Sequence, residues 1–182
     1  IMRARCLRSR TLDSNTTAAQ NLCMEAEHRG IARERLVFAP KVRHADHLAR
    51  HRLADLFLDT VPCGAHTTAS DALWAGLPML TCMGDSFAGR VGASLLNALD
   101  LKELVTRSLP EYERRALELA RDARTLARLK ATLEKNRDTC ALFDTVRFTR
   151  HLEAAYIEMW NRYRAGERPA SFSVEAAGTG RQ

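Results

Sequence analysis

The chain has 182 residues, 46% hydrophobic but only 6% aromatic, and 28 Lys and Arg against 22 Asp and Glu give a net charge of +6. That length suits one domain, or one lobe of a larger enzyme, with a real core. The basic residues are spread among acids and few rings are present to stack bases, which argues against a nucleic-acid partner; no apolar run approaches the roughly eighteen residues that cross a bilayer, so no membrane partner is expected either.

The five cysteines, Cys6, Cys23, Cys63, Cys82 and Cys140, are odd in number and never stand at a C-x-x-C spacing. Neither a disulfide framework nor a zinc site is indicated, and a reducing, cytoplasmic setting is expected. The amino end lacks a signal-peptide apolar core. Because the first residue is Ile1, the chain is expected to begin within a longer gene product.

In chain order, Arg5 to Leu7 reads as the remains of a strand, and Thr16 to Arg29 as a helix stopped by Gly30. Leu36 to Ala39 reads as a second strand ended by Pro40, and His44 to His51 as a short helix. Leu56 to Leu58 is a strand ending at Asp59; a Pro/Gly loop follows, and a helix restarts with Thr67, Thr68 and Asp71 in its opening turns. Met79 to Cys82 is a further strand, Ala88 to Leu99 a helix, and Glu103 to Thr106 a last short strand. This βαβαβαβαβ order predicts an α/β fold with a doubly wound parallel sheet, Rossmann-like, with helices on both faces.

After Pro110 two long helices close the fold. Glu111 to Lys135 carries apolar positions at Leu117, Leu126, Leu129 and Leu133. Thr145 to Arg164 carries a stripe of Phe148, Leu152, Ala155, Tyr156, Met159, Trp160 and Tyr163 that reads as a packing face. The expected organisation is a partial leading strand and helix over 1–30, a ligand-binding core over 31–109, closing helices over 110–166 and a disordered tail over 167–182.

The functional signal is the strand, loop and helix around Leu53 to Gly76. In an open parallel sheet the loop at a strand's carboxyl end lies in the ligand crevice, and a helix starting there presents free N–H groups and roughly half a positive charge. A phosphate is the natural guest. The structural alternative is that Thr68 and Asp71 form a capping box and merely start the helix. Against it stands density: His66, two hydroxyls, a carboxylate and Gly64-Ala65 crowd one strand exit. Asp71 suits ribose hydroxyls, and Thr67 and Thr68 suit a diphosphate. No G-x-G-x-x-G stands at a strand exit, and neither a P-loop nor a G-x-S-x-G elbow is present. His44, His47 and His51 lack a carboxylate in a metal-ligand pattern and read as surface residues from position alone.

The segments R-L-V-F-A-P, His47 seven residues on, L-A-D-L-F-L-D-T, H-T-T-A-S-D-A-L-W-A-G-L-P and G-R-V-G-A-S-L-L, with the closing L-F-D-T-x-x-F-T-x-x-L-E-x-x-Y-x-x-M-W, closely resemble the carboxyl-terminal catalytic lobe of the O-GlcNAc transferase family. The likeness is ordered and covers roughly residues 30 to 174. It implies a lobe of a B-type glycosyltransferase that holds UDP-GlcNAc and passes N-acetylglucosamine, with inversion, to serine or threonine hydroxyls of an acceptor protein. It further implies that Thr67 and Thr68 bind the pyrophosphate beside His66, that Asp71 takes the ribose, that His47 packs on the uracil and that the backbone near Val42 reads the base edge. Cys63 would lie near the N-acetyl group.

Two departures qualify the transfer. His44 stands where animal members have a nucleotide-contacting lysine, and Gly64 where related sequences often have asparagine. No catalytic residue is assigned within the chain: the leaving-group lysine, the second lobe and the repeats of the family are expected before Ile1. No cofactor or metal is expected, since no D-x-D stands at a strand exit. The alternatives are a non-catalytic nucleotide-sugar-binding remnant, or a transferase using another donor such as GDP-fucose.

Overall fold

The computed structural model describes residues 16–174. The chain forms two compact units that divide between Arg137 and Asp138.

Among the described residues the first unit begins with α1 (Thr16–His28), whose end is set by Gly30 at φ 73°; Gly30 N donates to Glu27 O and Ile31 N to Ala26 O, the paired bonds that close a helix through a left-handed residue. Then come α2 (His44–Arg50), β1 (Phe57–Leu58), α3 (Thr67–Trp74), β2 (Met79–Cys82), α4 (Phe87–Ala98), β3 (Val105–Thr106), α5 (Leu109–Arg121) and α6 (Ala123–Arg137). The strands are parallel in the order β1-β2-β3, with Phe57 opposite Met79 and Thr81 opposite Val105. This is a Rossmann-like α/β arrangement, as the alternation predicted, its sheet three-stranded among the described residues.

Buried leucines on several elements form the core, among them Leu73 of α3, Leu80 of β2, Leu96 of α4 and Leu129 and Leu133 of α6. Met79 and Thr81 share one face of β2 and meet α4 at Gly92, where a Cβ would stand 3.3 Å from Met79 Cε and 2.9 Å from Thr81 Oγ1. The strand's alternation thus fixes how closely that helix approaches.

Two expectations are corrected. Leu36 to Ala39 forms no strand: the run enters no ladder with the described residues, and Val37 is half exposed. Its attachment is through a side chain instead, Arg50 Nη1 donating to Pro40 O at 2.6 Å. The single helix expected over Glu111 to Lys135 is two, broken at Asp122 (φ −117°, ψ 86°). There Asp122 Oδ1 accepts from Thr125 N and Oδ2 from Thr125 Oγ1, the work of a capping aspartate. The break rotates the apolar stripe, so Leu117 is exposed and Leu119 joins Leu126, Leu129 and Leu133 inside. Arg5 to Leu7 lies outside the described residues.

The second unit holds α7 (Thr145–Arg164), started by Asp144, whose side chain accepts from Arg147 N. The stripe predicted to pack is exposed at Phe148, Tyr156, Met159, Trp160 and Tyr163. Trp160 and Tyr163 stack on each other with centroids 5.7 Å apart. Residues 167–174 form no helix or strand, and the Arg162 guanidinium lies over the Phe172 ring at 4.8 Å.

Candidate functional site

At the carboxyl ends of the strands, side chains tie the sheet together. Thr106 Oγ1 on β3 donates to Thr81 O on β2, and Thr81 Oγ1 donates to Asp59 Oδ2, just beyond β1, at 2.7 Å. All three residues are buried, and the ladder satisfies hydroxyls and a carboxylate that would otherwise be costly to bury. Asp59 Oδ1 also accepts from Thr60 N at 2.8 Å and Ala65 N at 2.7 Å, and Asp59 O accepts from Tyr112 Oη at 2.8 Å. Burial, and then the Asp59 charge, hold the Tyr112 phenol far above its ordinary pKa, so it stays a donor. Motif reading treated Asp59 only as a strand end; the signal available in sequence was an acid directly after an apolar run.

The loop that Asp59 holds leads into α3. Its capping residue is His66, whose side chain makes no cap hydrogen bond, and Ser70 N donates to His66 O to close the first turn. The capping box weighed for Thr68 and Asp71 is therefore not formed, because the helix has already begun at Thr67. The N–H groups at that terminus, with the hydroxyls of Thr67 and Thr68, provide donors for an anion. Beside them stands a second helix start: Gly64 N donates to Ala88 O at 3.0 Å, and the His66 ring meets Phe87 edge to face at 5.8 Å. Phe87 itself is 81% exposed. Cys63 is exposed, with its carbonyl accepting from Thr60 Oγ1.

Asp71 lies one turn into α3 and points toward α2. His44 Nε2 is 3.6 Å from Asp71 Oδ1 and His47 Nε2 is 4.0 Å from Asp71 Oδ2. Arg50 Nε and Nη2 both donate to His47 Nδ1, at 3.1 and 2.7 Å, which leaves the imidazole proton on Nε2, the side that faces Asp71. Burial, then the neighbouring His51 and the Arg50 charge, push His47 below its ordinary pKa, while Asp71 pulls the other way. His51 is buried, its Nδ1 2.8 Å from His47 O and its ring edge-on to His47 at 4.6 Å. His47 thus stands in a fixed orientation, whereas His44 is largely exposed.

The structure therefore brings His44, His47 and Asp71 together, and joins His66, Thr67 and Thr68 at the start of the helix that carries Asp71. Val42 is exposed just before α2, and Cys63 is in the loop on the other side of His66. Arg50 and His51, absent from the sequence-derived set, orient His47. Among the described residues no three His, Cys, Asp or Glu side chains converge so as to hold a metal ion. No described helix is long and apolar enough to cross a membrane.

A parallel sheet whose strand exits present an anion-competent helix terminus beside an oriented imidazole and a carboxylate is the nucleotide-binding half of many α/β proteins. The chain belongs to glycosyl transferase family 41, whose family model matches residues 12–152. It is 39% identical over 150 residues to a probable UDP-N-acetylglucosamine–peptide N-acetylglucosaminyltransferase, SEC, of Arabidopsis thaliana, a match covering 82% of this chain and 15% of that protein. The corresponding Caenorhabditis elegans transferase is 39% identical over 144 residues, 79% of this chain and 12% of that one. A solved structure of a Thermobaculum terrenum O-GlcNAc transferase mutant, K341M, superposes with a TM-score of 0.75 at 38% identity, covering 84% of this chain and 29% of the other. The chain thus spans less than a third of the length of these relatives.

Proposed function

We propose that this chain is the donor-binding lobe of a protein O-GlcNAc transferase, acting in a cytoplasmic setting. The observation that carries the reading is the convergence of Asp71, His44 and His47 beside the open terminus of α3. In it, the N–H groups and hydroxyls of Thr67 and Thr68, with the His66 segment, hold the diphosphate of UDP-GlcNAc. Asp71 accepts from the ribose hydroxyls, His47 packs on the uracil, the backbone near Val42 meets the base edge and Cys63 lies toward the N-acetyl group. His44 takes the place of a ribose-contacting lysine.

The reaction is displacement at the anomeric carbon. A serine or threonine oxygen of the acceptor bonds to C1 from the face opposite UDP, the C1–O bond to the β-phosphate breaks with its electron pair leaving on UDP, and the hydroxyl proton passes to solvent. Charge then builds on the departing diphosphate, and preorganised donors at the helix start stabilise it without a metal cofactor. Removing one such donor typically costs about 3 kcal/mol of barrier. The acceptor site and the leaving-group lysine belong, in this reading, to segments outside these 182 residues.

Thermal-shift titration of the chain with UDP, UDP-GlcNAc and GDP-fucose tests the proposal. Both uridine nucleotides should raise the melting temperature in a concentration-dependent way and GDP-fucose should not. A shift with GDP-fucose alone would reassign the donor, and none with any nucleotide would remove the reading.

A further inference from the structure

The Asp59 carboxylate takes no part in the roles above, yet its bonds converge on the loop that delivers the proposed diphosphate turn. Thr60 N and Ala65 N, from the two ends of that loop, donate to the same oxygen, Oδ1. The second oxygen is tied to β2 through Thr81, and the main-chain carbonyl to α5 through Tyr112. Gly64 shows how little slack the loop has: a Cβ there would stand 3.1 Å from both Asp59 Oδ2 and Ala88 O. His66 and Thr67 follow immediately.

We propose that Asp59 is a positioning residue for the diphosphate: by clasping the Thr60–Ala65 loop it aims the first turn of α3 at the ligand. The inference rests on the donor-lobe reading. An ionised carboxylate suits the place because it accepts at both oxygens, whereas an asparagine must turn a donor toward one set of partners. The polar contacts of His44 and His47, on α2, run to Asp71 and Arg50, so phosphate and base recognition should separate.

The test compares UDP with uridine as ligands of the chain, in the wild type and in Asp59→Asn. The variant should lose about tenfold in UDP affinity and keep its uridine affinity. Gly64→Ala, whose new methyl group would press from within the loop on Asp59 Oδ2 and Ala88 O, should show the same selective loss, and the double variant should lose much less than the two losses combined. If Asp59→Asn does not fold, Gly64→Ala and Thr81→Val carry the same comparison. Equal losses for UDP and uridine, or no loss for either, would overturn the positioning role while leaving the donor reading standing. A wild-type chain that binds neither ligand would overturn the donor reading itself, and the inference with it.

Discussion

His47 stands in a helix that by sequence looks like any exposed turn, and its environment is what singles it out. Two guanidinium donors fix its tautomer, and Asp71 lies opposite the remaining proton. Asp71 caps nothing, so Asp71→Ala should weaken UDP binding about tenfold with almost no change in melting temperature; isothermal titration and thermal melts on one preparation check both. The same titration on His47→Ala should show weaker binding of uridine as well as UDP. The depressed pKa of His47 also has a pH signature. Below the unfolded value of 6.5 the unfolded chain binds the proton more readily than the folded one, so stability falls with acidification from 6.5 down to the folded value. Melts across that range should show a shallower decline in His47→Gln. Glu103 acts lower: its hydrogen bond to Arg128 holds it below 4.5, and that contribution is lost only as pH falls through its folded pKa. These relations were hidden in the sequence because they join residues on two helices. No spacing rule reports that Asp71 faces α2.

Among the elements, those written in local chemistry were the most legible. β2 was read to the residue, and α1 and α2 nearly so, since an apolar run between Leu77-Pro78 and Gly84 and a helix ahead of Gly30 carry their own punctuation. The failures were non-local or masked by composition. Leu36 to Ala39 has strand composition but no partner strand among the described residues, and pairing is a property of neighbours rather than of the run. The break at Asp122 was overlooked because the flanking residues are all good helix formers; the aspartate three residues before Thr125 was the cue. Ser86 was likewise passed over, and it is the cap of α4, accepting from Gly89 N at 3.1 Å. Ser86→Ala should cost about 1 kcal/mol by denaturant unfolding. Since α4 begins beside His66, the same change should raise the UDP dissociation constant, whereas a cap with a purely local role would leave it unaltered.

At the scale of the whole chain, the parallel order of strands was predictable from the alternation of elements. What alternation does not supply is how the ends of the strands are joined; the Asp59, Thr81 and Thr106 ladder supplies it, and buried polar contacts leave no periodic trace. The stability of the first unit rests mainly elsewhere, on its buried leucines. Leu129→Ala, at a fully buried position on α6, should cost about 2–5 kcal/mol in chemical denaturation while leaving the UDP affinity of the molecules that remain folded unchanged. Gly92 joins the two halves of this picture. A methyl group there would lie 2.8 Å from Asp59 Oδ2, so even alanine must either lift α4 from the sheet or dislodge the carboxylate. The missing side chain on one helix thereby sets a tolerance for a loop belonging to another, and a lineage that enlarged residue 92 would have to rebuild the Asp59 clasp in the same step.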